Sequence, residues 1–125
     1  MAEHPNATVY RTAMEKFMGG DETAAKLIAD DVVWHQIGGE TLHGREAVFQ
    51  SMSGLEGVEF EVELHDVVAN DDHVVGLVQA TVDAGDGPFT YRTAEIAHVK
   101  DGQVTERWAF SDDTQAIIEF FSGLR

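Results

Sequence analysis

Cysteine is absent from the 125 residues, which excludes disulfides, thiolate metal sites and cysteine nucleophiles together. Basic residues are also scarce: 8 Lys and Arg stand against 23 Asp and Glu, for a formal net charge of -15. A field of this sign repels phosphate backbones and anionic lipid surfaces, so neither nucleic acid nor a membrane is expected as a partner. The acid excess is typical of a solvated surface, and adaptation to high salt is the alternative interpretation.

Long hydrophobic runs are missing as well. The longest apolar stretches, such as residues 74–78, are far shorter than a membrane-spanning helix requires. The N-terminal residues lack a basic segment followed by an apolar stretch, so no secretory signal is predicted and a cytoplasmic location is expected. With 43% hydrophobic residues, the composition predicts one folded domain over residues 1–125.

The first half of the chain is predicted to be mostly helical. Apolar residues three to four positions apart predict a helix over residues 7–18, which the following glycine pair ends. Asp21 is predicted to cap a second, shorter helix that breaks at the next pair of aspartates. A strand is predicted over residues 32–36, and a third helix over residues 45–52.

The second half is predicted to form four antiparallel strands. Residues 58–65 alternate strictly between apolar and polar, which is typical of a strand with one face on a core. Turn signals separate this strand from three more, predicted over residues 74–82, 89–100 and 104–110. A C-terminal helix follows. The order predicts an α+β fold, a cone-shaped half-barrel in which a strongly curved, mostly antiparallel sheet packs against three N-terminal helices and the C-terminal helix.

Several local motifs accompany this order of elements. They are Gly20-Asp21, residues 29–35, residues 44–48, residues 101–108 and Glu119-Phe120-Phe121. Together they resemble the nuclear transport factor 2-like superfamily, in particular its SnoaL-like polyketide cyclase and ketosteroid-isomerase-like branch. The resemblance covers essentially the whole chain and implies the cone fold. It does not imply one function, because this fold hosts isomerases, cyclases, epoxide hydrolases, dehydratases and non-catalytic binding modules.

The ketosteroid isomerase machinery does not carry over to this sequence. The resemblance places its helical tyrosine at Ala13, its general base at Gln36 and its second acid near Ile96. A carboxamide does not shuttle protons, so a general base is missing at that position. Steroid-type isomerisation by that machinery is therefore not expected.

The resemblance implies a different pair of proton-transfer residues. In SnoaL-like and epoxide-hydrolase-like patterns an acid follows the last strand, where both Asp112 and Asp113 fit. The aromatic residues that precede these aspartates on the last strand, such as Trp108, would desolvate a neighbouring carboxylate and raise its pKa. By resemblance His98 points into the cone, where it can act as an acid or base. Asp112 and His98 are thus the predicted catalytic residues, with helix capping by either aspartate and a core role for His98 as the alternatives.

The remaining predicted site residues would bind the ligand. Arg92 shares strand parity with His98 and is predicted to pair with Asp112 in the pocket, a surface position being the alternative. His35 alternates with Trp34 and is expected to point away. The other predicted ligand contacts are Trp34, Gln36, Phe49, Met52, Phe60, Tyr91 and Trp108. The six histidines lack metal-ligand spacing and no glycine-rich phosphate loop is present, so neither a metal nor a cofactor is expected.

These observations leave two functional interpretations. In the first, the protein binds a small, mostly apolar organic molecule and performs cofactor-free acid–base chemistry, such as isomerisation, cyclisation, dehydration or hydrolysis. In the second, it is a non-catalytic ligand carrier or a dimeric interaction module whose own side chains fill the cone. A homodimer is expected in either case, because valine-rich sheet faces in this superfamily commonly pack against a second copy.

Overall fold

Apart from one additional short strand, the helices and strands follow one another as in the predicted order. The computed structural model describes residues 3–52, 55 and 57–123. Its elements are α1 (Pro5–Met18), a 3₁₀ helix (Glu22–Leu27), β1 (Ile28–His35), β2 (Thr41–His43), α2 (Arg45–Ser51), β3 (Glu59–Ala69), β4 (Val74–Asp83), β5 (Pro88–Lys100), β6 (Gln103–Ser111) and α3 (Thr114–Ser122).

The six strands form one curved, unclosed sheet. Their order is β2-β1-β6-β5-β4-β3, in which β1 and β6 are parallel and all other neighbours are antiparallel. Register shifts interrupt the pairing of β3 with β4 between Leu64 and Asp66, and that of β5 with β6 between His98 and Val99. Such bulges bend a strand and increase its twist. The predicted α+β half-barrel is confirmed.

The first strands differ from the prediction in extent and number. β1 begins at Ile28 rather than at residue 32, and it includes Asp30 and Asp31. Both aspartates are exposed, so they remain hydrated within the strand instead of ending it. The short strand β2 was not predicted, because only its pairing with β1 at the sheet edge defines it.

The helix α1 packs across the inner face of the sheet and supplies much of the core. Phe17 contacts both Trp34 of β1, with ring centroids 5.6 Å apart, and Phe49 of α2, at 5.4 Å. Tyr10 and Val48 are fully buried in the same cluster. The core therefore fills one end of the cone, beside α1 and α2.

The cap of α3 separates the two adjacent aspartates. Asp113 Oδ1 accepts a hydrogen bond from the backbone N–H of Ala116 at 3.0 Å, as an N-cap residue does. Asp112 Oδ1 instead accepts from the backbone N–H of Arg92 at 3.3 Å. The capping role thus belongs to Asp113.

An Asp113→Ala variant is expected to lower the free energy of unfolding by about 1 kcal/mol, because an N–H at the start of α3 loses its acceptor. Asp112→Ala is the matched control and should cost less, about 0.5 kcal/mol or below, since this exposed side chain caps no helix. Urea unfolding followed by circular dichroism measures both values. A larger loss for Asp112→Ala would contradict the assignment of the cap.

Candidate functional site

A cavity of about 770 Å³ lies between the inner face of the sheet and the three helices. Much of its wall is apolar, and it includes Met14, Phe17, Met18, Trp34, Met52, Phe60 and Phe121. Three of the chain's four methionines are in this group, and methionine side chains adapt readily to irregular shapes. The volume falls within the range of small-molecule sites in proteins.

One charged pair lies on the sheet side of the cavity. Glu95 of β5 and Arg107 of β6 are diagonal neighbours, since Glu95 pairs with Ala109 and Arg107 with Ala97. Glu95 Oε1 lies 3.4 Å from Arg107 Nε, and Glu95 Oε2 lies 3.3 Å from Arg107 Nη2. The two side chains are only 10% and 12% exposed. The cavity therefore contains a nearly buried carboxylate and guanidinium in direct contact.

Two hydroxyl groups complete the surroundings of Glu95. The Tyr10 hydroxyl donates to Oε1 at 2.5 Å, and the Thr93 hydroxyl donates to Oε2 at 3.1 Å. Burial raises the pKa of Glu95, but Arg107 and the donated hydrogen bonds outweigh this effect and lower the pKa below its ordinary value. Glu95 is therefore ionised at neutral pH. The pKa of Tyr10 lies well above its ordinary value, first through burial and then through Glu95, so its hydroxyl keeps its proton.

Tyr10 reaches Glu95 only because Gly76 lies beneath its ring. A Cβ atom at Gly76 would lie 2.9 Å from Tyr10 Cε1, closer than side chains normally approach. Gly76 is on β4, directly opposite Glu95 in the register of β4 with β5. Because Gly76 has no side chain, the ring of Tyr10 can lie over β4 and its hydroxyl can reach the carboxylate of Glu95 on β5.

Arg107 makes two further contacts, with His35 and Trp34, and still has N–H groups without a partner in the described residues. Its Nη1 donates to the backbone carbonyl of His35 at 3.2 Å, and its guanidinium carbon lies 4.7 Å from the ring centroid of Trp34. A guanidinium has five N–H groups, of which the contacts with Glu95 and His35 engage three. The other two have no hydrogen-bond partner within the described part of the chain. They are available to an oxygen atom of a ligand.

Two neutral polar side chains also line the cavity. Tyr91 precedes Glu95 on the same inner row of β5, and Gln36 follows β1. Burial, with a smaller contribution from Glu95, raises the pKa of Tyr91 to about 12. The Tyr91 hydroxyl therefore stays protonated at neutral pH and can donate a hydrogen bond. These groups and Arg107 provide directed donors in a largely apolar space.

Part of the predicted binding set does line this cavity. The structure brings together Trp34, Gln36, Met52, Phe60 and Tyr91. That these five side chains contact a ligand stays a prediction. Phe49 lies instead in the core behind Phe17, because α2 directs it towards α1 rather than into the open space.

His98 and Trp108 lie on the opposite face of the sheet, so the predicted orientation of His98 into the cone is wrong. They border a shallow depression of about 270 Å³ together with His73, Ile96 and Phe110. The inner row of β5 contains Thr93 and Glu95, both buried. Successive side chains of a strand point to opposite faces, so a shift of one residue exchanges the two rows. The prediction had this parity reversed for Arg92 and His98, whereas Tyr91 lies on the inner row as predicted.

Asp112 and Arg92 also lie outside the cavity. Asp112 Oδ2 is 4.0 Å from Arg92 Nη1, and the side chains are 50% and 67% exposed. They form a surface ion pair at the end of β5 and β6, which corrects their predicted position in the pocket. An exposed carboxylate of this kind is not desolvated, so the expected basis for its catalytic role is absent.

The predicted site residues do not include Tyr10, Glu95 or Arg107. No local signal in the sequence points to the charged pair. The pairing next to the Asp101-Gly102 turn, if continued, would place Arg107 opposite Ile96 and on the other face from Glu95. The register shift between His98 and Val99 instead brings Arg107 onto the same face, diagonally opposite Glu95. The contact with Tyr10 has no local signal either, because 85 residues separate it from Glu95.

The fold and the cavity define a class of protein, a small α+β cone whose inner space holds a buried charged pair. Comparison with protein families places the chain more closely. The family model for the SnoaL-like domain matches residues 10–107. The chain therefore belongs to the SnoaL-like domain family, and the predicted resemblance is confirmed.

Solved structures with the same fold include proteins of different descriptions. Bal32a, from a soil-derived mobile gene cassette, is 26% identical with a TM-score of 0.83, and the match covers 93% of this chain and 95% of Bal32a. An LEH-like epoxide hydrolase from M. tuberculosis is 19% identical with a TM-score of 0.77, over 96% and 89% of the two chains. A candidate SnoaL-like polyketide cyclase from Jannaschia sp. CCS1 is 16% identical with a TM-score of 0.80, over 98% and 92%.

The comparisons with curated proteins give no match. In the described residues, no helix is long and apolar enough to cross a membrane. The same residues contain no group of three or more His, Asp or Glu side chains arranged to hold a metal ion.

Proposed function

We propose that this protein binds a small, mostly apolar organic molecule in the cavity and catalyses a cofactor-free acid–base reaction on it. The observation that carries the proposal is the buried Glu95–Arg107 pair beside apolar walls. A buried ionisable pair in a cleft, with one member of shifted pKa such as Glu95, is characteristic of functional sites. The epoxide hydrolase and the candidate polyketide cyclase among the structural relatives support this class of activity.

The chemistry follows from the two charged groups. Glu95 is ionised and can accept a proton from a carbon atom next to a carbonyl group of the ligand. The electron pair of the broken C–H bond then moves to the carbonyl oxygen, where the free N–H groups of Arg107 stabilise the developing negative charge. Isomerisation, cyclisation and dehydration can each begin with this step. The low pKa of Glu95 makes it a weak base, which the stabilisation by Arg107 offsets.

The test uses a bicyclic ketone, 2-tetralone, whose hydrogens next to the carbonyl exchange with solvent once they are abstracted. In D₂O, the protein is expected to accelerate the incorporation of deuterium at these positions above the rate in buffer alone, as measured by NMR. A rise in the melting temperature with the ketone concentration reports binding. Binding without accelerated exchange would count against catalysis and support the carrier function.

One observation favours a non-catalytic ligand carrier as the second candidate. Glu95 is contacted by Arg107, Tyr10 and Thr93, and these contacts lower its pKa. A carboxylate so fully bonded can serve mainly to hold Arg107 in place. The cavity would then bind the ligand oxygen through Arg107 and transfer no proton.

We also propose that the outer depression packs against a second copy of this chain. Phe110 is 59% exposed at this place, and none of the five residues that border the depression is acidic. In a chain with a net charge of -15, this face is one where two copies can approach without strong repulsion. An isologous contact would place Phe110 of each copy over the depression of the other.

Light scattering coupled to size exclusion tests this contact. The unmodified chain is expected to have the mass of a dimer, and Phe110→Asp that of a monomer, because each interface then gains two buried carboxylates. Val68→Asp is the control, since Val68 is 55% exposed but does not border the depression. A dimer that persists in Phe110→Asp would refute this interface.

A further inference from the structure

We propose that Glu95 makes the cavity selective for uncharged ligands and excludes anionic analogues of the same shape. The proposal deepens the function proposed above and rests on its first part, the binding of a small organic molecule in the cavity. It assigns to Glu95 a role in ligand selection that is separate from proton transfer.

The first argument is the charge balance of the cavity. Among the described residues that line it, two are acids, Glu40 and Glu95, and one is a strong base, Arg107. Arg107 is the single base in that set, which contains no lysine or histidine. The described lining therefore has a formal net charge of about -1, which does not favour an additional anion.

The second argument is the distance between the two charged groups at the binding point. The donors of Arg107 that remain for a ligand belong to the same guanidinium whose Nε and Nη2 lie 3.4 and 3.3 Å from Glu95. A carboxylate bound there is attracted by Arg107 and repelled by Glu95 across a few ångströms of poorly hydrated space. The two effects largely cancel. The anion still loses its hydration, which nothing then replaces.

An uncharged oxygen atom avoids this conflict. A ketone or amide oxygen accepts a hydrogen bond from Arg107, is not repelled strongly by Glu95, and gives up far less hydration than a carboxylate does. We therefore expect a preference of at least about tenfold for an uncharged ligand over its anionic analogue.

The charge conflict predicts that removal of Glu95 reverses the preference. Glu95→Gln keeps the size of the side chain and an oxygen that can accept from Tyr10. Arg107 is then a buried cation without a counter-ion, and an anionic ligand supplies one. The variant is expected to bind the anion at least about tenfold more tightly than the unmodified chain does.

The experiment compares 2-naphthamide with 2-naphthoate at pH 7, because the two probes share a ring system and differ in charge. Dissociation constants are measured by NMR titration for the full chain, for Glu95→Gln and for the control Glu61→Gln. Glu61 is an exposed residue of β3, so this control removes one negative charge without changing the cavity. The full chain and Glu61→Gln should bind 2-naphthamide more tightly than 2-naphthoate. Glu95→Gln should bind 2-naphthoate more tightly than 2-naphthamide.

A double variant, Glu95→Gln with Arg107→Gln, keeps the test decisive if Glu95→Gln alone does not fold. It is compared with Arg107→Gln, which keeps Glu95. Naphthoate should bind the double variant more tightly than Arg107→Gln, because only the repulsion by Glu95 has been removed, and equal affinities would contradict the proposal. Equal binding of the two probes by the full chain would overturn the proposal. If the full chain binds neither probe, the binding function proposed above fails, and the selectivity with it.

Discussion

Glu95→Gln is expected to slow deuterium exchange of 2-tetralone by about 10²–10⁴-fold relative to the unmodified chain, the usual contribution of a general base. The carboxamide occupies the same volume and can still accept from Tyr10, but it cannot take a proton from carbon. The dissociation constant of the ketone should change far less, because Arg107 still binds its oxygen. Exchange is followed by NMR at saturating ketone, which separates a loss of proton transfer from a loss of binding.

The matched control is Asp112→Asn, which makes the same chemical change on a carboxylate outside the cavity. Asp112 is half-exposed and pairs with Arg92 on the surface, so exchange should proceed at the unmodified rate. The opposite pattern, slow exchange with Asp112→Asn and the unmodified rate with Glu95→Gln, would contradict the role of Glu95 and favour Asp112, the catalytic residue predicted from the sequence.

Arg107→Met is expected to lower the free energy of unfolding by about 3–5 kcal/mol, the usual cost of removing one partner from a buried ion pair. Methionine replaces much of the volume of the arginine, but Glu95 stays nearly buried without its cation. The destabilisation should shrink in acid. In the unmodified chain, the stability due to ionised Glu95 is complete above the ordinary pKa of 4.5 and is lost as the pH falls through the lower folded pKa. Urea unfolding at several pH values measures both effects.

Arg92→Met provides the control for this loss. It removes the same group from an ion pair that is largely exposed and 4.0 Å long, so a change within about 0.5 kcal/mol is expected. Adding Glu95→Gln to Arg107→Met should recover part of the stability, because the uncompensated charge is then gone. Equal losses for Arg92→Met and Arg107→Met would contradict the burial of the Glu95–Arg107 pair.

Much of the fold could be predicted because its signals are local. The strict alternation over residues 58–65 lies in β3, and the Asp101-Gly102 turn does join β5 to β6. The beginning of β1 was less predictable, since Asp30 and Asp31 usually favour turns and here remain hydrated in a strand. β2 has no signal of its own, as three residues at a sheet edge depend on their neighbour for definition.

The site was harder to predict because both rows of β5 mix polar and apolar residues. One row contains Tyr91, Thr93, Glu95, Ala97 and Val99, and the other contains Arg92, Ala94, Ile96, His98 and Lys100. Hydrophobicity alone does not decide which row faces inward. The answer depends on partners that are distant in sequence, above all Tyr10, which lies 85 residues from Glu95. Burial of Glu95 is favourable only once those partners are in place.

The cavity combines two mechanically different surfaces. The charged pair lies on paired strands whose backbone hydrogen bonds restrict movement, whereas Met14, Met18 and Met52 at the helical side can change rotamer at little cost. The oxygen-bearing end of a ligand is therefore held in a fixed position, while the rest of its skeleton contacts side chains that can adapt to its shape. Molecules that share one functional group and differ in ring number or branching should fit the same protein, so chemical similarity among its ligands is expected near the oxygen atom rather than in overall shape.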